Sequence, residues 1–401
     1  MIPQSFKIIW KQRRYNGLIM IEIVFSFIAL FALASVVLTY TKRYQQPFGM
    51  NNKNIWIIRA WPSGNAAADN RLSDSIILIK RDLIKKHLKS NYSEIKEVSM
   101  MTNQDIPYGR SMSFNCTNFK KKQICYHRSL TEPDFYKTFD IKLLEGRWVS
   151  PEDALSGILT VVINKKLKQE FFGNQQAAGK TIYIDDKKPR PMKVVGIFEA
   201  IKRQGEFNEE PNFMFESFQR NNNNPFHGFA IKLKENIDKT FEARLMKDLE
   251  SFDRSFEYRL ERIETMRSEY IRNKLAPLII VGSIVLFLIV NVMLGLFGML
   301  WLNISRRKSE IGLRMAVGSS SANVLWQLLG ETYGLALVAI IIGLVFTSQM
   351  FIFNVYNIPV VTLVEANLAA MFLILLFCTL SAYTPGKLAA RLQPAEALHE
   401  E

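Results

Sequence analysis

Four long apolar runs, at residues 17–40, 275–302, 322–350 and 366–384, constrain this chain more than anything else in it. A helix needs ~20 apolar residues to cross the ~30 Å hydrocarbon core of a bilayer, and each run is near that length or beyond it. The runs are apolar on every side, whereas a helix buried in a soluble domain keeps a polar face. No charge interrupts 275–302, and only Glu331 interrupts 322–350. Four transmembrane spans follow. The run 275–302 exceeds a perpendicular crossing and is expected to tilt or project.

Cytoplasmic segments collect Lys and Arg. Lys7, Lys11, Arg13 and Arg14 precede the first run; Arg306, Arg307, Lys308 and Arg314 lie between the second and third; Lys387 and Arg391 follow the fourth. The short loop 351–365 has neither residue type. Residues 1–16, 303–321 and 385–401 are therefore read as cytoplasmic, and 41–274 with 351–365 as external. Lys42, Arg43, Arg272 and Lys274 run against this rule, but long domains translocate largely regardless of charge. Ala32, Leu33 and Ala34 imitate a signal-peptidase site, yet Val36, Val37 and Leu38 continue the apolar run, so an uncleaved anchor is expected. A net charge of +14 raises nucleic acid as a partner. The basic residues are spread over both membrane flanks and the external domain, without a nucleic-acid motif, and lipid headgroups suit them better.

Within 41–238 the pattern is α+β. Residues 54–60 read as a strand. Residues 73–89 read as an amphipathic helix that packs on a sheet, with Leu72, Ile76, Ile79 and Leu83 on one face. Apolar, β-rich runs at 158–164 and 192–198 bracket a helix at 164–172 and a strand at 181–184. Between those two elements, Gly173 to Thr181 imitates a phosphate-binding loop. Its spacing is one residue too long and its flanks are reversed, helix before and strand after, so no nucleotide site is expected. The chain is read as carrying no ATPase of its own.

Cys116 and Cys125 sit in SFNCTNFKKKQICYH, two short strands joined by a basic turn. Outside the cytoplasm they suit a disulfide. The competing reading is a metal site with His127, for which three loosely spaced ligands are a poor set. Cys378, inside the fourth run, suits packing. No nucleophile–base or paired-carboxylate arrangement is legible. The polar, Phe-punctuated stretch 206–227 reads as a mobile loop. From 239 to 274 a heptad seam reads as a stalk helix running into the second span, with Leu245, Leu249, Phe252, Phe256, Ile263, Met266 and Tyr270 along it and Arg259 at the missing apolar position. The alternative is a long amphipathic helix packed on its own domain. Pro277 is placed to kink the junction.

The segment 303–321 is too short to be a domain and too patterned to be a plain connector. Arg306, Glu310 and Arg314 make one charged stripe at i, i+4 and i+8, while Ile304, Ile311 and Met315 share another face. Gly318 and three serines offer a helix end. One reading lays this helix on the inner membrane surface; the other docks it in a groove of a cytoplasmic protein. Glu331 is expected to pair or to reach toward water, because an intramembrane carboxylate is costly. Gly330 and Gly334 permit close helix packing.

SRRKSEIGLRMAVGSSSANVLWQLLGETYGLAL resembles the core signature of MacB/FtsX-type ABC transporter permeases (type VII, mechanotransmission). The matching positions are Arg306 and Arg307, the Glu-Ile-Gly at 310–312, Arg314, the run 316–319 and Glu331. The tail is similar to the family's at Pro385, Ala389 or Ala390, Pro394, Ala397 and Leu398. FDIKLLEGRWVSPED resembles a periplasmic-core segment ending in Gly-Arg, and VVINKKLKQEFFGNQQAAGKTIYI with VVGIFEAI resembles the next. The resemblance implies a non-catalytic four-span permease of the inner membrane, with its large domain in the periplasm. It implies a cytoplasmic ATPase subunit bound at 303–321 through Arg306, Arg307, Glu310, Ile311, Arg314, Met315 and Gly318. It also implies a second permease copy or relative, and in some systems a periplasmic adaptor. ATP and Mg would be bound by the partner ATPase, and no cofactor by this chain. The family also places a stalk helix after the first span, which Pro47 opposes here. A membrane sensor with an extracytoplasmic ligand-binding domain is the alternative; it should carry a cytoplasmic signalling domain. A membrane-anchored enzyme would need a catalytic constellation.

Overall fold

The computed structural model describes residues 13–63, 74–103, 105–109, 114–119, 122–154, 158–184, 190–218, 226–306, 308–317, 319–353 and 358–389. In chain order, α1 (Arg13–Gln45) is followed by β1 (Ile55–Pro62), α2 (Asp74–Asn91), β2 (Ile95–Thr102), β3 (Phe114–Phe119) and β4 (Lys122–Thr131). Next come α3 (Phe135–Thr138), β5 (Leu143–Gly146), β6 (Leu159–Asn164), α4 (Lys165–Phe172), β7 (Thr181–Ile184), β8 (Arg190–Phe198), β9 (Phe213–Ser217) and β10 (Phe226–Leu233). The chain continues with α5 (Phe241–Phe252), β11 (Phe256–Arg262), α6 (Ile263–Arg306), α7 (Lys308–Ala316), α8 (Ser321–Phe353) and α9 (Val360–Ala389). Two compact units result: a span unit of Met1–Lys42 with Lys274–Glu401, and an inter-span unit of Arg43–Asn273.

Four helices of the described residues are long and apolar enough to cross a membrane: Gly17–Gln45, Ile263–Arg306, Ala322–Phe353 and Val360–Lys387. Ile23, Phe27 and Phe31 of α1 meet Val285, Ile289 and Leu296 of α6, Ala336 and Ala339 of α8, and Ala366 and Ala370 of α9 in one core. The alanines let backbones approach closely where lipid supplies no hydrophobic drive for association. Gly343 receives the Phe27 ring, and a Cβ there would lie 2.3 Å from it. Cys378 is buried in this core, as expected of a packing residue. The helices outrun the apolar segments. The fourth begins at Val360 rather than 366, and the Pro359 carbonyl accepts its first bonds, from Thr362 N at 2.9 Å and Leu363 N at 3.2 Å. Pro277 lies inside α6, which continues through it.

The inter-span unit holds two sheets. The four-stranded one runs β11-β1-β10-β2, antiparallel throughout. Both its faces are buried, so β1 alternates between two cores. Trp56, Ile58 and Ala60 meet α2 and α5, whereas Ile55 and Ile57 meet the aromatic cluster of Phe135, Trp148, Phe198 and Phe215. The second sheet runs β3-β4-β9-β6-β8-β5, with β7 on β8 and Leu167 and Phe171 of α4 packed against it. Asn164 caps α4 by accepting from Leu167 N at 3.1 Å and also accepts from Phe213 N at 3.0 Å, which ties the helix start to β9. Cys116 and Cys125 are directly opposite across the β3–β4 hairpin and form a disulfide.

Several expectations are corrected here. No stalk helix spans 239–274. The helix α5 stops at Phe252, Asp253 turns extended, and β11 pairs along β1 before α6 starts. Leu245 and Leu249 belong to the core against the four-stranded sheet, Phe256 is buried on β11, and Phe252 is exposed. Ile263 is buried in the aromatic core on the other face of that sheet, Met266 packs against that second core and Tyr270 follows on α6. The seven-residue spacing concealed a period of two: Phe256, Tyr258 and Leu260 face the core, and Arg259 faces solvent. The stretch 206–227 is not a loop throughout, because β9 within it is buried and sits between β4 and β6; residues 219–225 lie outside those described. On α2, Ile76, Ile79 and Leu83 point outward, while Ile84 and Leu88 point in. The inward stripe was disguised by Arg81, which is buried, donates to the Ala60 carbonyl at 2.8 Å and lies over the Phe256 ring.

The Gly-Arg motif is structural. Gly146 holds φ +67 and presses on β8, where a Cβ would lie 2.2 Å from the Val195 carbonyl oxygen. Arg147 then donates two bonds to the Asp153 carboxylate, at 2.6 and 2.8 Å. The Arg147 bonds hold Asp153 below the ordinary carboxylate range. Its stabilisation is therefore present above about pH 4 and lost as pH falls through the depressed value. Asp153→Asn should cost about 1 kcal/mol at neutral pH, discounted for the half-exposed guanidinium, and should flatten the acid limb of a pH-melting series. In denaturant titrations Leu249→Ala should cost about 2–5 kcal/mol, while Arg259→Leu should stay within about 0.5 kcal/mol; a heptad stalk would instead gain from the leucine.

Candidate functional site

The segment joining the second and third spans is built from α7 and its two flanks. Gly318 and Arg307 lie outside the described residues, as do the side chains of Lys308 and Met315. Ile311 is buried against Val324 and Leu328 of α8, with Ile304 of α6 alongside. The expectation that Ile311 offers itself to a partner is thus corrected: its apolar surface folds the segment back on the chain's own third span. Leu313, 56% exposed, and Val317, 81% exposed, stand one turn apart and form the outward apolar surface. The sequence marked neither, because the face containing Ile311 satisfied the helical period first.

The charges are also partly used internally. Arg314 pairs with Glu310 at 2.5 Å and donates to Gln327 Oε1 of α8 at 3.0 Å. Both side chains remain half-exposed, where such a pair contributes ~0.3–0.5 kcal/mol. Arg306 is exposed at the end of α6. The turn after α7 closes through Ser319 N to the Arg314 carbonyl at 2.9 Å, and Ser320 Oγ accepts from Asn323 N at 3.3 Å as the cap of α8. The segment is a short ordered helix on a short tether.

Polar groups inside the span unit fall into two kinds. Some bridge helices: Tyr333 with Thr379 at 2.7 Å, Thr347 with Asn367 at 2.9 Å, and Ser381 with the Met293 carbonyl at 2.6 Å. At the far end Lys42 of α1 pairs with Glu365 of α9 at 2.5 Å and donates to Thr362. Among the described residues, Glu22 and Ser26 each leave a buried oxygen without such a bond. Glu22, which the sequence reading passed over, puts Oε2 against Gly295 of α6, and Ser26 one turn on is buried. Glu331 is half-buried in α8. Beside it, a Cβ built on Gly330 meets no heavy atom of the described residues within 4 Å.

The inter-span unit adds little catalytic chemistry. The loop resembling a phosphate site is helix, turn, strand, with Gly179 N bonded to the Val194 carbonyl at 2.7 Å and Lys180 drawn over the Phe172 ring. The Gly173 and Gln175 amides bond to the preceding helix, the Lys180 amide closes the turn on the Ala177 carbonyl, and the Gly179 amide is spent on the sheet. Among the described residues no cluster of His, Cys, Asp and Glu is arranged to hold a metal ion.

Two family models match the chain in order, the MacB-like periplasmic core domain over residues 17–247 and the FtsX-like permease C-terminal region over residues 282–394. An uncharacterised ABC transporter permease, YvrN of Bacillus subtilis strain 168, is 22% identical over 99% of this chain and 98% of its own length. The macrolide export ATP-binding/permease protein MacB of Pasteurella multocida is 24% identical over 67% of this chain. The chain spans 42% of the length of that MacB. The periplasmic region of MacB from Actinobacillus actinomycetemcomitans aligns with a TM-score of 0.36 at 16% identity, over 57% of this chain and 97% of that one. With the first family model covering more than half of the chain and the second its remaining spans, this protein belongs to the MacB/FtsX-type ABC transporter permeases.

Proposed function

We propose that this permease turns ATP hydrolysis in a separate cytoplasmic ATPase into motion of its inter-span domain. That motion would export or extract a substrate on the far side of the inner membrane without passing it through the span bundle. The observation that carries the reading is the continuity of α6, one helix from Ile263 in the inter-span unit to Arg306 at the segment before α7. A continuous helix transmits displacement that a flexible linker absorbs. The ATPase would dock on 303–321, with Leu313 and Val317 as apolar contacts and Arg306, Glu310 and Arg314 as the charged rim. Ile311 would act through its packing on α8, setting the angle of the segment. The open surface at Gly330 suits a helix of a second permease copy or relative. ATP and Mg would belong to the ATPase, and an adaptor would be required only where the substrate crosses a further barrier. The distribution of basic segments supports a cytoplasmic 303–321 and a periplasmic inter-span domain.

Leu313→Ser combined with Arg314→Glu should lower recovery of the ATPase with the tagged permease by about 30-fold, the effect of losing a 2 kcal/mol contact. Membrane insertion, followed by carbonate extraction, should be unchanged. Undiminished recovery would remove the docking role from this segment.

A further inference from the structure

The outward ends of two long helices, residues 43–45 of α1 and 263–270 of α6, lie in the inter-span unit and are held by one loop, residues 200–208. Lys202 is buried, and its ammonium donates to the Arg43 carbonyl, one of the last acceptors of α1. The Arg43 carbonyl also accepts from Gln46 N at 3.2 Å, and a cation beside it complements the helix dipole. Arg43 in turn reaches the Phe207 carbonyl. On the other side, buried Glu206 takes Arg267 of α6 at 2.5 Å, and Tyr108 donates to the same carboxylate at 3.1 Å. Between the two helices the Phe207 ring stacks on Tyr44 of α1 at 5.9 Å and on Tyr270 of α6 at 6.0 Å. Asn208 donates to the Tyr270 hydroxyl at 3.2 Å.

Gly205 makes this grip possible. It holds φ +106, and a Cβ there would stand 2.3 Å from the Tyr270 ring, so the backbone lies flat on the aromatic face. The loop is anchored at its start by Gly49, where a Cβ would collide with the Ala200 carbonyl, and by Lys202 N on the Phe48 carbonyl at 3.0 Å. A charged grip on each helix and a shared aromatic wedge fix the spacing of the two helix ends. Burying a lysine and a glutamate in one nine-residue stretch is otherwise costly, since neither contributes to the apolar core.

We infer that residues 202–208 are a coupling clasp that locks the outward ends of α1 and α6 together, so that displacement of either helix moves the inter-span domain as one body. Lys202, Gly205 and Glu206 are its positioning residues. The inference rests on the mechanical reading above only for its use, not for its geometry.

Dipolar EPR on the full-length protein in lipid nanodiscs tests it, with spin labels at the exposed positions Gln45→Cys and Arg272→Cys in a Cys378→Ser background. The unmodified clasp should give one narrow distance. Gly205→Val should abolish it in favour of a broad distribution. Lys202→Met, which keeps the aliphatic stem, should do the same while the Cys116–Cys125 disulfide and the domain's melting transition persist. A narrow, unshifted distance in both variants overturns the clasp. With the co-purified ATPase added, ATP should shift the distance between a second label pair on the inter-span domain and a span. In Lys202→Met that shift should be lost at an unchanged hydrolysis rate; a shift retained in full overturns the clasp's role. If the parent protein shows no ATP-dependent shift, the mechanical reading fails and the clasp, judged by the first measurement, stands.

Discussion

Hydrocarbon offers no partner to a peptide group, so every N–H and C=O that crosses the membrane must be satisfied within its own helix. The rest of this structure depends on that constraint. It forces four helices, and once α6 is obliged to be helical through its apolar stretch, extending it outward to Ile263 costs no new nucleation. The obligation inside the bilayer therefore yields a long unbroken element outside it. Neither α1 nor α6 stops where the apolar run stops. Each stops where the inter-span unit supplies something better: a lysine on the end of α1, and at the start of α6 a strand that pairs with β1.

Inside the span unit the same constraint decides which polar groups are quiet. Thr, Ser and Asn side chains bond to a neighbouring helix or to the carbonyl one turn back, and such bonds are worth ~0.6 kcal/mol on average. They orient helices more than they hold them. The holding falls to small residues, with Ala336 and Ala339 facing Ala366 and Ala370 and Phe27 set into Gly343. Glu22 differs in kind, because a carboxyl oxygen pressed to Gly295 has no such local bond. In the sequence it is hidden by apolar neighbours that keep the first span's mean hydropathy at 2.6, although an acidic residue inside a span is an expensive feature.

How far the sequence was legible follows from how many constraints acted on each stretch at once. The spans were plain because all-round apolarity has no competing explanation. The disulfide hairpin was plain because turn, strands and cysteines agreed. The stretch 239–274 was misread because its apolar residues satisfy a seven-residue repeat, while the chain resets at Asp253 and again at Ile263. A repeat of seven keeps one face in a helix but changes face in a strand, so Phe256, Tyr258 and Leu260 carried the truer signal. On α2 four consecutive apolar residues allowed two stripes, and the choice turned on whether Arg81 could be buried. Its bond to the Ala60 carbonyl and its place over the Phe256 ring answer that. For Ile311 the apolar face was correctly found, but a pattern cannot say whether the surface that covers it belongs to the same chain.

The two ends of the long helices are held with unequal strength, and the inequality has a direction. At the end that the proposed reading puts in the cytoplasm, α7 rests on a small apolar cluster and an exposed ion pair, interactions that an incoming partner can exchange at little cost. At the outward end, a buried ammonium, a buried carboxylate and a triple aromatic stack fix both helices to a domain with two sheets. A lever needs a compliant input, so that its driver can engage it, and a stiff output, so that displacement is not lost in local strain. On the proposed reading, softness at Arg314 and rigidity at Lys202 are one requirement met at opposite ends of the chain, which is why charge at the first is exposed and charge at the second is buried.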